Sequence, residues 1–293
     1  MRDPSARTRA HLPTVSPNAS RDFSRTVVAG DPLRPLRRPI RPAWGNEVVS
    51  SNIVGYNKIT LQPGLNMIGG LFQKVGTDSA LLLNDQFVDA ATAVNYGASA
   101  DAADTITTWD ATRKGYTKIY YYYADRDDPD PDYDDKWYDT DTEDIANVTI
   151  ADESGATGAW YKNTGNSPIT VTMAGEVPTN AVYSVELVNG LNFIANPYPQ
   201  KIAINGNYFE VEDVFFGPSA DVADTITTWD AARKGYTKIY YYYADPDDPD
   251  PDYDDKWYDT DTEDITTFQI EPGQGFWYNH RGTGATLKFK KPY

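Results

Sequence analysis

Apolar and polar positions alternate along most of this chain, and the alternation is broken every ten residues or so by turn residues. The stretch SNIVGYNKITLQPGLNMIGGLF carries β-branched residues in alternation, with Pro63-Gly64 between two predicted strands. Its counterpart, GEVPTNAVYSVELVNGLNFIANPYP, places Asn189-Gly190 in the same position, and Asn-Gly is a strong hairpin signal. TITTWD and YTKIYYYY flank DATRKG and predict a further hairpin, with Gly115 or Gly235 available for a positive φ. A period of two puts Thr117, Ile119, Tyr121 and Tyr123 on one face of its second strand. Tyr116, Lys118, Tyr120 and Tyr122 fall on the other. The isoleucine assigns the first face to the core. A short KWYD segment, an aromatic strand and a final strand close each unit, as in EPGQGFWYNHRGTGATLKFKKPY, where Trp277 reads as core of the second unit. The segment LLLNDQFVDAATAV fits a short helix or a strand.

The pattern repeats. Ala100–Ile145 recurs as Ala220–Ile265, and only Ala102/Val222, Thr112/Ala232 and Arg126/Pro246 differ. Outside the block, Leu65-Asn66-Met67-Ile68 matches Leu191-Asn192-Phe193-Ile194, and Gly158-Ala159-Trp160-Tyr161 matches Gly275-Phe276-Trp277-Tyr278. The edges have diverged as in an old duplication, whereas the central block was homogenised or copied later. The spacing is that of a domain, not of a solenoid unit. Sustained short strands predict an all-β chain: two tandem antiparallel β-sandwich or barrel-like domains, residues 47–175 and 176–293. Residues 1–46 are rich in Arg, Pro and Ser without either period, and predict a disordered basic tail.

Charge narrows the partners. The chain carries −17 in total, and the tail has nine Arg against three Asp, so the body is more acidic still. Such a body repels nucleic acid and anionic membrane surfaces and attracts cations and basic partners. There is no apolar run long enough for membrane insertion, no readable signal peptide and no Cys, a usage that fits the cytosol and also many bacterial surface proteins.

Two constellations could carry chemistry. The acidic loop gathers Asp125, Asp127, Asp128, Asp130, Asp132, Asp134 and Asp135, and repeats as Asp245, Asp247, Asp248, Asp250, Asp252, Asp254 and Asp255. Neighbouring carboxylates repel unless a cation sits among them, and an oxygen-only set suits Ca²⁺. The loop lacks the Gly and Glu placement of an EF-hand, so the alternative is a solvated acidic loop that maintains solubility. Beside it stand Tyr120, Tyr122, Trp137 and Tyr138, repeated as Tyr240, Tyr242, Trp257 and Tyr258. Exposed on a sheet, these rings would stack on sugars; buried, they would pack across strands. Nothing points to an enzyme. The two His are His11, in the tail, and His280, in YNHRGTG, and no nucleophile elbow, HExxH or phosphate-binding loop occurs.

The order G-x-N-x-I-x-N-P-Y-P, W-D, G-Y, P-G-Q-G-F-W resembles β-sandwich modules of large secreted and cell-surface proteins from Bacteroidetes, Verrucomicrobia and Lentisphaerae relatives. The second unit carries it at Gly190–Pro199, Trp229-Asp230, Gly235-Tyr236 and Pro272–Trp277. The first keeps Trp109-Asp110, Gly115-Tyr116 and Trp160-Tyr161 but reads NMIGGLFQ where the second has NFIANPYP. The resemblance covers about Glu47 to Tyr293. It implies an extracellular or cell-surface location and a structural or adhesive role without catalysis. Partners would be other surface proteins or further copies of the chain; the runner-up is a carbohydrate-binding module pair that takes glycans.

Overall fold

The computed structural model describes residues 53–150, 155–247 and 249–293, and all of them belong to one unit, Val49–Tyr293. The tail expected to be disordered, 1–46, lies outside the described residues. The protein is all-β. In the first half, β1 (Val54–Leu61) pairs with β7 (Ile169–Glu176). Against them stands a five-stranded antiparallel sheet built from β2 (Gly64–Gly69), β3 (Thr105–Asp110), β4 (Gly115–Tyr123), β5 (Lys136–Asp139) and β6 (Gly158–Asn163), in the order β2-β6-β3-β4-β5. The ambiguous segment forms two single helical turns, α1 (Leu83–Gln86) and α2 (Ala90–Ala93).

The second half repeats the plan. β9 (Gly190–Ala195), β12 (Thr225–Asp230), β13 (Gly235–Tyr243), β14 (Lys256–Asp259) and β16 (Gly275–His280) form a sheet of order β9-β16-β12-β13-β14. β8 (Val182–Leu187), β11 (Phe209–Glu212) and β17 (Ala285–Lys290) form the facing three-stranded sheet, β11-β17-β8. The short pair β10 (Ile202–Ala203) and β15 (Gln269–Ile270) adds Ile202 and Ile270 to the same core. One-sided burial gives the alternation expected of such sheets: Tyr183, Val185 and Leu187 of β8 are buried, and their neighbours are exposed. Each half has its own core. Leu61, Ile106, Tyr161, Val171 and Met173 belong to the first, and Tyr198, Ile226, Phe276, Leu287 and Phe289 to the second.

The predicted turns at Pro63-Gly64 and Asn189-Gly190 exist, but they do not close hairpins. β1 and β2 pair in different sheets, as do β8 and β9. Each turn is a corner that carries the chain from one layer to the other. Gly64 (φ 93°) and Gly190 (φ 98°) supply the left-handed backbone. The Asn two residues on locks the corner. Asn66 Oδ1 accepts Gln62 N–H at 2.8 Å and its amide donates back to Gln62 O; Asn192 makes the same pair with Val188. That is the physical content of G-x-N. The β3–β4 hairpin forms as predicted, with one correction. Its left-handed residue is Lys114 (φ 53°), and Lys234 (φ 55°) in the copy, not the following glycine.

The two halves meet through aromatic side chains in matched pairs. Trp277 stacks on Phe193 (centroids 4.4 Å) and meets Trp109 of the other half edge-on at 5.0 Å. Trp160 meets Trp229 edge-on at 5.4 Å. The Trp109 indole donates to Leu191 O at 3.1 Å and the Trp229 indole to Leu65 O at 2.7 Å. Gly69 N–H donates to Gly273 O and Ala195 N–H to Ala156 O. Contact i–j and its mirror j–i both occur, the mark of an approximate two-fold relation. Trp277 is buried, but in this junction with Met67, Trp160 and Phe193, not in the core of the second sandwich.

Candidate functional site

The acidic loops sit beyond the ends of β4 and β13. In the first, the carboxylates of Asp125, Asp130 and Asp134 are turned onto the loop's own backbone. Asp134 is its centre: one oxygen accepts Asp125 N–H and the other Asp130 N–H, both at 2.5 Å. These two backbone donors hold its carboxyl below the usual carboxylate range. Asp125 accepts the N–H groups of Asp127 and Asp128, and Asp130 that of Asp132. Asp135 takes both ends of the Arg126 guanidinium, at 2.7 and 3.0 Å. The second loop repeats the scheme around Asp254, which accepts from Asp245 and Asp250. Asp247 N–H and Asp252 N–H close onto Asp245 and Asp250. Asp255 loses the guanidinium, because Pro246 replaces Arg126, and Asp248 lies outside the described residues. The repulsion that suggested a cation is thus met by N–H dipoles at Asp125, Asp130 and Asp134 and by the guanidinium at Asp135, while Asp127, Asp128 and Asp132 face solvent. Among the described residues, no group of three or more His, Asp or Glu side chains is arranged to hold a metal ion.

Of the two readings of the aromatic set, packing across strands is the one its burial matches. Tyr120, Tyr122 and Trp137 face inward and are buried; so are Tyr240 and Trp257, with Tyr242 half-buried among them. Trp137 packs on Tyr122 at 5.3 Å and on Tyr161 at 6.0 Å, and Tyr240 stacks on Phe268 at 4.8 Å. The face carrying Ile119, assigned to the core from its isoleucine, is the outer one, and Ile119 is 41% exposed. The reason is the partner strand: Trp137 of β5 is the larger apolar group, and register places it beside Tyr122. The outer face holds Tyr121, Tyr123 and Tyr138. Tyr138 lies 5.9 Å from Tyr121 and 5.4 Å from Tyr123, with its hydroxyl donating to Tyr133 O at 2.8 Å. Tyr241, Tyr243 and Tyr258 repeat this arrangement. Of the predicted rings only Tyr138 and Tyr258 share this surface, and each is nearly covered by its neighbours.

Two buried carboxylates escaped the sequence reading. Asp104 accepts Tyr161 Oη–H at 2.7 Å, Thr164 N–H and Oγ1–H at 2.7 and 2.9 Å, and the Asn95 amide. Asp224 accepts Tyr278 Oη–H at 2.8 Å, Arg281 N–H at 2.6 Å and Phe215 N–H at 3.1 Å, and His280 Nδ1 lies 2.9 Å away. Burial and the adjoining carboxylate push the hydroxyls of Tyr161 and Tyr278 well above the ordinary range. Both Asp side chains and His280 are sealed from solvent, so they tie β3 to β6 and β12 to β16 and offer no reacting atom to a substrate. Their signal was present: an Asp before each TIT strand, in both copies.

No family model, curated protein or solved structure matches the chain. No helix among the described residues is long and apolar enough to cross a membrane.

Proposed function

We propose that this chain is a structural or adhesive module pair of a bacterial extracellular or surface protein, and that it works by binding rather than catalysis. One observation carries the reading: an outer tyrosine face with an acidic rim occurs twice, and the two-fold junction fixes the two copies relative to each other. A rigid pair of equal faces suits avidity, which multiplies a weak single-site affinity by about 10²–10⁴. The acidic rim selects basic surface proteins. The sequestered Asp104, Asp224 and His280 support the non-catalytic part.

A second reading is a glycan-binding pair. It is favoured by the half-buried rings of Tyr121 and Tyr123, and of Tyr241 and Tyr243, on an outer sheet face beside carboxylates. Glycan and surface-protein arrays probed with the full chain separate the two. Tyr121→Ser in one copy should weaken binding, and adding Tyr241→Ser should abolish avidity. Unchanged binding by the double variant to every array would remove the tyrosine faces from the proposal.

Calcium belongs to the same proposal as a stabiliser added to loops that already close on themselves, at the exposed Asp127, Asp128 and Asp132. At ten times Kd one site contributes about 1.4 kcal/mol, a rise of a few degrees in Tm. Identical melts in millimolar calcium and in chelator would drop the ion.

A further inference from the structure

The two acidic loops, 125–135 and 245–255, differ at one position, and the difference uncovers a carboxylate. In the first loop the Arg126 guanidinium donates to both oxygens of Asp135, at 2.7 and 3.0 Å, and to Ala91 O at 3.1 Å. It also stands over the Tyr96 ring, 4.6 Å from the centroid. A planar fork on a carboxylate, with a ring against its face, holds a guanidinium better than an ammonium. The first half thus shows which group this corner of the fold takes.

The second half keeps the acceptor and lacks the arginine, which Pro246 replaces. Asp255 has the left-handed backbone of Asp135, φ 57° against 56°. The Tyr242 hydroxyl donates to it at 3.4 Å, as Tyr122 does to Asp135. Gly217 N–H donates to Tyr242 O at 3.2 Å, as Gly97 N–H does to Tyr122 O at 3.1 Å, so Phe216 takes the place of Tyr96. Both of these rings are exposed. With no guanidinium above it, Asp255 is exposed where Asp135 is half-buried, and Tyr242 is half-buried where Tyr122 is fully buried. A cavity of about 170 Å³ opens beside Asp255 and Tyr242, with Phe209, Val211 and Trp257 as its apolar wall. Here β11 runs where the first half has α2, so the carbonyl of Ala91 is not reproduced. The other charges at the cavity are engaged elsewhere. Lys256 turns its ammonium to Asp254 O at 3.3 Å, and Glu210 pairs with Lys290. No cation among the described residues pairs with Asp255.

We propose that Asp255, Tyr242 and Phe216 form a receptor for the guanidinium of an arginine side chain on a partner protein. The carboxylate takes the fork with both oxygens, the Phe216 ring takes its face, and the arginine methylenes lie along the apolar wall of the cavity. Each chain then has one such site, because the first half fills its own with Arg126. Tyr242 and Trp257 belong to the inner face of β13 and β14, so the site is separate from the outer tyrosine faces. That the arginine comes from a basic surface protein rests on the proposed binding role; the receptor itself does not.

The test uses the full chain and N-acetyl-arginine methylamide, with N-acetyl-lysine methylamide as the ammonium control. Titration at low salt followed by NMR should show saturable shifts of Tyr242 and Phe216 in the millimolar range, at one site per chain. The lysine probe should bind about three- to tenfold more weakly. Pro246→Arg gives the second loop the sequence of the first and should abolish binding. Arg126→Pro should open the first loop and raise the stoichiometry to two. Asp255→Asn should weaken the arginine probe about tenfold and remove its advantage over lysine. Binding that persists in Pro246→Arg, equal binding of the two probes, or no saturable shift below about 50 mM would overturn the receptor. Should Arg126→Pro fail to fold, Pro246→Arg still decides. Arrays that show no basic partner, with the probe results intact, would count against the proposed binding role and not against this site.

Discussion

Replacing Trp277 by Ala tests the junction between the halves most directly. The side chain is only 4% exposed, stacks on Phe193 at 4.4 Å and meets Trp109 edge-on at 5.0 Å. A buried Trp→Ala change costs about 3–5 kcal/mol, and aromatic pairs add about 0.5–1.5 kcal/mol each beyond burial. With two such pairs broken, the upper part of the range applies, about 4–5 kcal/mol. Domains have about 5–15 kcal/mol in total. For a unit of this size Tm should fall by about 10–15 °C. Urea unfolding followed by tryptophan fluorescence and circular dichroism gives the number.

A loss of that size would also follow if Trp277 were core of the second sandwich, so a double-mutant cycle is needed. Trp109 belongs to the first half. Trp109→Ala combined with Trp277→Ala should show a coupling of about 1 kcal/mol. Trp160→Ala, at the mirror position, should cost about as much as Trp277→Ala. A total loss under about 1.5 kcal/mol, or zero coupling to Trp109, would refute the assignment of this ring to the junction.

Three further outcomes are expected. Tyr161→Phe and Tyr278→Phe each remove a hydrogen bond to a buried carboxylate, and each should cost about 2 kcal/mol in denaturant unfolding; a neutral result would mean the hydroxyls do not serve Asp104 and Asp224. Gly69→Ala should destabilise the junction, since the new Cβ would stand 2.1 Å from that of Ala195, and an unchanged Tm would show the halves are not held at this spacing. Burial pushes the hydroxyls of Tyr183, Tyr240, Tyr242 and Tyr293 up to about 12. These groups keep their protons in the fold after the unfolded chain has lost them, so their contribution is complete below about pH 10 and is lost as pH rises toward 12. The last part of the phenolate absorbance, from these rings, should appear together with the loss of circular dichroism in that window; ionisation of every tyrosine near pH 10 with the fold intact would contradict it.

The all-β class and most strands were legible because alternation and turn residues repeat in both halves. What failed was the face of β4. Four consecutive tyrosines have no period, so the assignment rested on Ile119 against Lys118, at a place where both faces are half open. The deciding group, Trp137, arrives from β5 across an acidic loop of a dozen residues, and only register brings it beside Tyr122. The corners at Gly64 and Gly190 were misjudged for a related reason. A turn signal states that the chain reverses or bends, while the sheet that receives the next strand is set by partners far along the chain, here β6 and β16. The loop carboxylates looked like a cation site because sequence lists acceptors and not where backbone N–H groups point.

Where the halves touch, the tryptophans are kept and several positions beside them differ. The repeated block, which brings Trp109 and Trp229 to the junction, differs at three positions, whereas other matched junction positions read Met67 and Phe193, Gly69 and Ala195, Ala156 and Gly273. Gly69 and Ala195 meet near the pseudo-axis, and the space there admits one methyl group. Two second halves placed together would bring two alanines into that space, and two first halves would leave a gap. The fit therefore favours one first half with one second half. The chain from Val177 to Ala181, between β7 and β8, makes that pairing intramolecular and gives it a high effective concentration. Pairing of like halves between chains is disfavoured by shape, and pairing of unlike halves between chains is outcompeted within each chain. The self-association allowed by the proposed role would then use a surface outside the junction, which directs attention to the outer tyrosine faces and their acidic rims.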